Sequence, residues 1–269
     1  MSYDKHIAAL IMAAGRGSRM KAFEGNKTLL PLVPGESPYQ GSRPILLQIL
    51  QSLPSGPKIL VVNHRKEDIV SATRHTGLFY CDQPELNGTG GALLAARSLL
   101  ETLQYRHLII TMGDVPLVKP STYLALIDRL KDHAMVVLGF TPREKKRYGV
   151  LETRGDRVRR IIEWTYWSQF PRNKQAALQV CNSGIYAARK TELLQYLTVL
   201  ASRPHVVTKD IAGKPTRFNE YFITDLVEIM HEAGSAIGYG LAEEEEEVMG
   251  VDDLSALLRA QASFAAQKT

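Results

Sequence analysis

The sequence predicts an α/β fold, with a mostly parallel sheet flanked by helices on both faces. Three observations predict it. Short β-rich apolar runs alternate with helical patterns through the first half of the 269 residues. The first apolar run ends in a loop of small residues, Ala13-Ala14-Gly15-Arg16-Gly17-Ser18-Arg19-Met20. That loop, residues 83–91 and the pair Gly113-Asp114 each follow an apolar run, which gathers three polar clusters on the rim where such sheets bind ligands.

The elements follow in order. Residues 7–13, 58–63, 77–81, 107–111 and 134–139 are rich in β-branched, aliphatic or aromatic side chains and read as strands. Between them, residues 44–52, 66–75, 90–103 and 121–131 carry helical periodicity. The second half changes character. Residues 148–153 and 157–163 flank Arg154-Gly155-Asp156 and read as a β-hairpin. Residues 179–188 form an apolar strand broken by Asn182-Ser183-Gly184. Helices at 191–201 and 221–234 precede a strand at 235–241, and 253–265 is an amphipathic last helix. Residues 164–178 and 202–219 are polar, Pro-bearing loops of the kind that close over a ligand, and 243–247 is a solvated acidic turn. No Gly-, Ser- or Pro-rich linker divides the chain. One domain over 1–269 is expected, with a first half to about 140, a second to about 252 and a C-terminal helix from 253.

Composition excludes several classes. Apolar residues at 45% and charged residues at 23% allow a sizeable core, so the chain is not of the disordered type. A net charge of +5 suits an anionic small molecule as well as it suits nucleic acid. Cys81 and Cys181 lie far apart, with neither a disulfide framework nor zinc spacing, and the seven histidines are scattered. The N-terminal apolar stretch is too short for a signal peptide and no run approaches a membrane span, so a cytoplasmic location is expected.

The small-residue loop is the most informative stretch. Its backbone can turn sharply and present several N–H groups to one object, and Arg16, Arg19 and Lys27 make phosphate the natural object. Two common phosphate motifs fail. A P-loop needs Gly-Lys-Ser/Thr, and Gly25-Asn26-Lys27-Thr28 inserts Asn26. A dinucleotide fingerprint needs a third glycine opening a helix, and Met20 stands there.

The order of motifs resembles the sugar-1-phosphate nucleotidyltransferases. The likeness is strongest to the N-acetylglucosamine-1-phosphate uridylyltransferase domain of the bifunctional enzyme that makes UDP-N-acetylglucosamine. Ala13 to Met20 with Lys27 resembles the family's opening loop and its lysine. Residues 83–90 resemble its Gln…Gly-Thr-Gly loop, and 112–117 its Gly-Asp-x-Pro-Leu. Tyr148-Gly149-Val150, Ile161-Ile162-Glu163 and Cys181-Asn182-Ser183-Gly184-Ile185 resemble its sugar-side elements. Residues 219–225 and Gly250-Val251-Asp252 complete the order. Eight such elements in sequence order make a strong signal.

The resemblance implies a Rossmann-like fold of the nucleotide-diphospho-sugar transferase type and a site for two anions. Ala13, Ala14, Gly15, Arg16 and Gly17 would cradle the nucleotide, with Arg19 on the β- and γ-phosphates and Lys27 near the α-phosphate. Gln83, Gly88 and Thr89 would read the base. Asp114 and Asp252 would hold Mg²⁺. Asp252 also has a second reading, as N-cap of the helix from 253. Gly149, Glu163, Asn182 and Thr224 would meet the sugar phosphate.

Three departures from the pattern stand out. Asn26 replaces the proline that usually precedes the lysine. Asp252 stands where the most similar branch has Asn. Glu163-Trp164-Thr165-Tyr166-Trp167 replaces a Lys-bearing segment, which reads either as a ring platform for another acceptor or as packing of a lid. The expected activity is Mg²⁺-dependent transfer of a nucleoside monophosphate from an NTP, UTP first, to a sugar 1-phosphate with release of pyrophosphate. The hexapeptide β-helix half of the bifunctional enzyme has no counterpart here, so only the nucleotidyl step is expected. A cytidylyltransferase for another alcohol phosphate is the alternative within the fold, and a silent nucleotide-sugar sensor the alternative outside catalysis. The partners implied are small molecules, with neither nucleic acid nor membrane, and a homo-oligomer is left open.

Overall fold

The computed structural model of the protein describes residues 6–15, 20, 23–211 and 214–267. Its strands in chain order are β1 (Ile7–Met12), β2 (Pro31–Pro34), β3 (Gly41–Pro44), β4 (Lys58–Val62), β5 (Phe79–Asp82), β6 (His107–Met112) and β7 (Met135–Phe140), then β8 (Val150–Arg154), β9 (Arg157–Ile162), β10 (Cys181–Arg189), β11 (His205–Ile211), β12 (Lys214–Glu220) and β13 (Ile237–Leu241). The helices are α1 (Ile45–Ser52), α2 (Lys66–Thr73), α3 (Thr89–Ala95), α4 (Arg97–Thr102) and α5 (Pro120–Arg129), then α6 (Trp164–Trp167), α7 (Arg172–Ala177), α8 (Lys190–Ala201), α9 (Ile223–Glu232) and α10 (Leu254–Ala266).

Nine strands form one sheet in the order β5-β4-β1-β6-β10-β7-β13-β9-β8. β1 sits inside it, parallel to β4 on one side and β6 on the other. All six of its residues are buried, as the unbroken apolar run IAALIM requires of a strand covered on both faces. The pleat sends Ile7, Ala9 and Ile11 into one core layer and Ala8, Leu10 and Met12 into the other. The first layer is closed by Ile49 of α1, Leu126 of α5 and Leu257 of α10; the second by Leu93 of α3, Leu197 of α8 and Leu226 of α9. Only β10 and β9 run against the common direction of the sheet. β10 inserts between β6 and β7, so the two halves of the sequence interleave in space.

The sequence reading needs several corrections. The stretch 202–219 is not an open loop, because β11 and β12 pair along it as an antiparallel hairpin. The stretch 164–178 carries the short helices α6 and α7. The helix expected over 90–103 divides at Ala96, and β2 pairs with β3 where no strand was expected. The break in the strand at 179–188 is a bulge: the β10–β7 register shifts between Asn182 and Tyr186, with Gly184 at φ +81°. Among the described residues no helix is long and apolar enough to cross a membrane.

Candidate active site

A cavity of about 290 Å³ opens where β1, β5 and β6 end. Ala13, Ala14 and Gly15 follow β1 and line one wall. A Cβ added at Gly15 would meet no atom of the described residues within 4 Å. Arg16, Gly17 and Arg19 lie outside the described residues.

Lys27 and Asp114 form the floor. Lys27 opens a short 3-10 turn, residues Lys27–Leu29, and Asp114 follows Gly113 at the end of β6, where the Gly113 N–H donates to the Met12 carbonyl at 2.9 Å. The Lys27 ammonium donates to Asp114 Oδ2 at 2.5 Å and to Asp252 Oδ1 at 3.0 Å. Burial alone would lower the Lys27 pKa, but the two carboxylates outweigh it and hold it above the ordinary value. The sequence therefore brings residues 27, 114 and 252 to one point across 225 positions of chain.

Asp252 is held there by its backbone neighbour, since the Val251 N–H donates to the Asp114 carbonyl at 2.8 Å. The N-cap of α10 is Asp253, whose side chain accepts from the Ala256 N–H at 2.8 Å, so capping is not the task of Asp252. Upstream, the acidic run is a solvated turn at Glu243, Glu244 and Glu246 but not at Glu247. Glu247 is 3% exposed and its Oε1 accepts from the Lys119 N–H and the Thr122 hydroxyl at the start of α5. Together with the Lys119–Glu243 pair at 2.7 Å, this ties the segment carrying Asp252 to α5. The run alone gave no sign of it; the N-terminus of α5 supplies the partner.

Asp114, which lines the cavity, and Asp252, joined to it through Lys27, make a hard oxygen donor set. They fit an ion that takes one or two carboxylates and completes its shell with phosphate oxygens and water. Among the described residues no group of three or more His, Cys, Asp or Glu side chains could hold a metal alone.

The opposite wall is Gln83 with Leu86, Gly88 and Thr89. Gln83 is buried, and its Nε2 donates to Asn87 Oδ1 and the Gly88 carbonyl, both at 3.1 Å. The Gly88 carbonyl can only accept, which fixes the orientation of the amide and leaves Oε1 as its acceptor atom. Gly88 has φ +95°, and a Cβ there would stand 2.3 Å from the Tyr221 carbonyl oxygen. The loop is bonded to the segment before α9: Tyr221 N–H to the Asn87 carbonyl and Gly90 N–H to the Tyr221 carbonyl, each at 2.8 Å.

The four residues expected at the acceptor also come together. The Asn182 N–H donates to the Gly149 carbonyl at 2.8 Å. A Cβ on Gly149 would lie 3.5 Å from Glu163 Oε2, and the Glu163 carboxyl is hydrogen-bonded to Thr224. Glu163 is an exposed residue, but desolvation of its carboxyl, with Asp225 nearby, raises its pKa against the opposing Thr224 bond. Asn182 is oriented by the bulge, its Nδ2 donating to the Tyr186 hydroxyl at 2.9 Å and its Oδ1 accepting from the Gly184 N–H at 3.1 Å. This cluster borders the cavity at two points. A Cβ on Gly184 would lie 3.5 Å from Met112, which lines the cavity, and the Ile223 N–H donates to Thr89 Oγ1 at 3.1 Å.

The aromatic segment after Glu163 divides. Trp167 is buried and its Nε1 donates to the Tyr148 carbonyl at 2.8 Å, while Lys145 lies 5.3 Å over its ring and binds the Leu178 carbonyl. Trp164 packs at the edge of the core under Arg147, and Tyr166 faces solvent at 63% exposure. Trp167 therefore packs the segment, and only Tyr166 is a free ring.

Residues 9–217 match the MobA-like NTP transferase domain. The chain belongs to that family. This NTP transferase is 29% identical over 263 residues to the bifunctional protein GlmU of Cereibacter sphaeroides, covering 96% of its own length and 52% of the relative's. It is 31% identical over 266 residues to the bifunctional protein GlmU of Sphingopyxis alaskensis, covering 97% and 53%. It thus spans about half the length of the curated relatives it matches. Its fold is that of the uridine diphosphate N-acetylglucosamine pyrophosphorylase of Trypanosoma brucei, with a TM-score of 0.73 over 95% of this chain and 65% of that one at 14% identity. It is shared as well by the CMP:2-keto-3-deoxy-manno-octonic acid synthetase complexed with CTP, with a TM-score of 0.65 over 97% and 99% of the chains at 16% identity.

Proposed function

We propose that this NTP transferase is a Mg²⁺-dependent nucleotidyltransferase that transfers the nucleoside monophosphate of an NTP, UTP by preference, to a sugar 1-phosphate. The observation that carries this reading is the Lys27 ammonium between Asp114 and Asp252, on the floor of a cavity bordered by a second polar cluster. Two substrates that both carry phosphate repel each other, and a fixed cation with two metal-binding carboxylates is what their approach needs.

In this reading the base lies against Gln83 and Leu86, and the triphosphate runs over Ala13, Ala14 and Gly15 toward Arg16, Gly17 and Arg19. The acceptor lies on Gly149, Glu163, Asn182 and Thr224, with Glu163 taking sugar hydroxyls and Thr224 the phosphate. An oxygen of the acceptor phosphate attacks the α-phosphorus, and the bond from the α-phosphorus to the bridging oxygen breaks as pyrophosphate leaves. Lys27 offsets charge on the α-phosphate during that exchange. Asp114 and Asp252 would hold Mg²⁺, which when bound supplies positive charge to the phosphate oxygens. No covalent enzyme intermediate is required. Burial pushes the Cys181 thiol up to about 11 and raises that of Cys81, so neither offers a ready thiolate. Two free buried thiols also suit a reducing compartment, the cytoplasm.

UTP is preferred because Gln83 Oε1 is an acceptor, and uracil offers it the N3–H. The same atom could take the amino group of cytosine, which keeps a cytidylyltransferase as the second reading. The test is to incubate the protein with Mg²⁺, each NTP and a panel of sugar 1-phosphates, and to follow pyrophosphate. Release with UTP and one sugar 1-phosphate is expected. Release with CTP alone supports the second reading, and tight nucleotide binding with no release would make the protein a sensor.

A further inference from the structure

We propose that Asn26 is the residue that positions Lys27, an inference that rests on the role given to Lys27 above. Asn26 is a polar side chain only 3% exposed, in a turn whose neighbours Thr28 and Leu30 are buried as well. Both ends of its carboxamide are used. Oδ1 accepts from the Thr28 N–H at 3.0 Å and from the Thr28 hydroxyl at 2.8 Å. Nδ2 donates to the His64 carbonyl at 2.9 Å. The fixed roles of that N–H and that carbonyl leave one orientation of the amide.

These bonds act on the turn that carries the lysine. Asn26 is the N-cap of Lys27–Leu29, with φ −80° and ψ 122°, and its own carbonyl accepts from the Leu29 N–H at 2.9 Å. His64 stands two residues beyond β4, so the Nδ2 bond ties the turn to the end of the sheet. The backbone under Lys27 is thereby fixed from both sides, next to the strand ends that carry Asp114. An apolar residue at 26 would fill the same space at no desolvation cost, but it would leave the Thr28 N–H and the His64 carbonyl without this partner. What the asparagine adds is a defined origin for the lysine side chain. A catalytic cation needs that, since a displacement of about 1 Å at a reacting group can cost on the order of 10²-fold in rate.

The full chain is assayed with UTP, N-acetylglucosamine 1-phosphate and Mg²⁺ for Asn26→Ala, Asn26→Ser, Lys27→Ala and the two double variants. Asn26→Ala is expected to lower kcat by up to about 10²-fold and to leave KM for UTP close to that of the wild type. Serine is itself an N-cap residue but has no donor for the His64 carbonyl, so Asn26→Ser recovers only part of the loss. Neither change at position 26 should slow the enzyme further once Lys27 is alanine, because the residue acts only through that lysine. The Asn26→Ser pair of variants carries the same comparison if Asn26→Ala fails to fold. Additive losses in the double variants, a loss confined to KM, or no loss at all overturns the inference while the transferase reading stands. A wild type that releases no pyrophosphate with any NTP and sugar 1-phosphate overturns both.

Discussion

Replacing Lys27 by methionine keeps most of the side-chain volume and removes the charge between Asp114 and Asp252. The ammonium lies 2.5 Å from one carboxylate and 3.0 Å from the other. The side chains of Lys27 and Asp114 are 12% and 21% exposed, so solvent screens that pair only in part. Two unit charges about 4 Å apart attract by about 4 kcal/mol at an effective dielectric near 20. Desolvation of the ammonium returns part of this, and Asp252, half exposed, adds at most about 1 kcal/mol. A net loss of about 2 kcal/mol follows, on the order of 5 °C in melting temperature for a chain of this size. The folded pKa of Lys27 is raised, so its contribution is complete below the ordinary value of 10.5 and is lost only as the pH climbs through the raised one. The gap between wild type and variant should therefore be the same at neutral pH as at any pH up to about the ordinary value of 10.5. Mg²⁺ should narrow it, since the Lys27 ammonium no longer competes with it for Asp114 and Asp252. Turnover should fall by about 10²–10³-fold. Melting curves with and without Mg²⁺, beside pyrophosphate release, decide the matter. Equal melting temperatures with near-normal turnover would refute the reasoning.

Asp253→Ala removes the α10 cap and should cost about 1 kcal/mol of stability with turnover intact. Asp252→Ala should do the reverse, and the opposite pattern would exchange the two roles. Glu163 has a raised pKa, so kcat/KM for the acceptor should fall on acidification through a value above that of an ordinary carboxylate. Glu163→Gln should flatten that limb of the pH profile while KM for the NTP is unchanged. Gly88→Ala sets a Cβ 2.3 Å from the Tyr221 carbonyl at a φ of +95°, and the strained loop should raise KM for the NTP. A KM equal to that of the wild type would show that the loop does not touch the nucleotide.

Much of the fold was legible because its signals are local. The IAALIM run needs cover on both faces, and the alternation of runs and helical stripes fixes the layers. What was not legible depends on partners distant in sequence. The hairpin of β11 and β12 is polar and reads as loop because its pairing is with itself, outside the main sheet. Glu247 sits in a run of five acids and is set apart by the Lys119 N–H, 128 residues away, and the Thr122 hydroxyl. In the site, the convergence of Lys27, Asp114 and Asp252 followed the motif order. Asn26 departs visibly from the motif, but its partner, the His64 carbonyl, lies 38 residues away in sequence. The aromatic segment was ambiguous because Trp164, Tyr166 and Trp167 look alike in sequence, whereas burial divides them.

The central claim is that one cavity activates the α-phosphate of a nucleotide for attack by a phosphorylated sugar. Phosphorus NMR of the protein with UTP, N-acetylglucosamine 1-phosphate and Mg²⁺ tests it directly. Loss of the triphosphate signals is expected, with growth of a nucleoside diphosphate-sugar and an equal amount of pyrophosphate. Release of inorganic phosphate from UTP without any coupled product, or unchanged spectra for every NTP and sugar 1-phosphate tried, would contradict it.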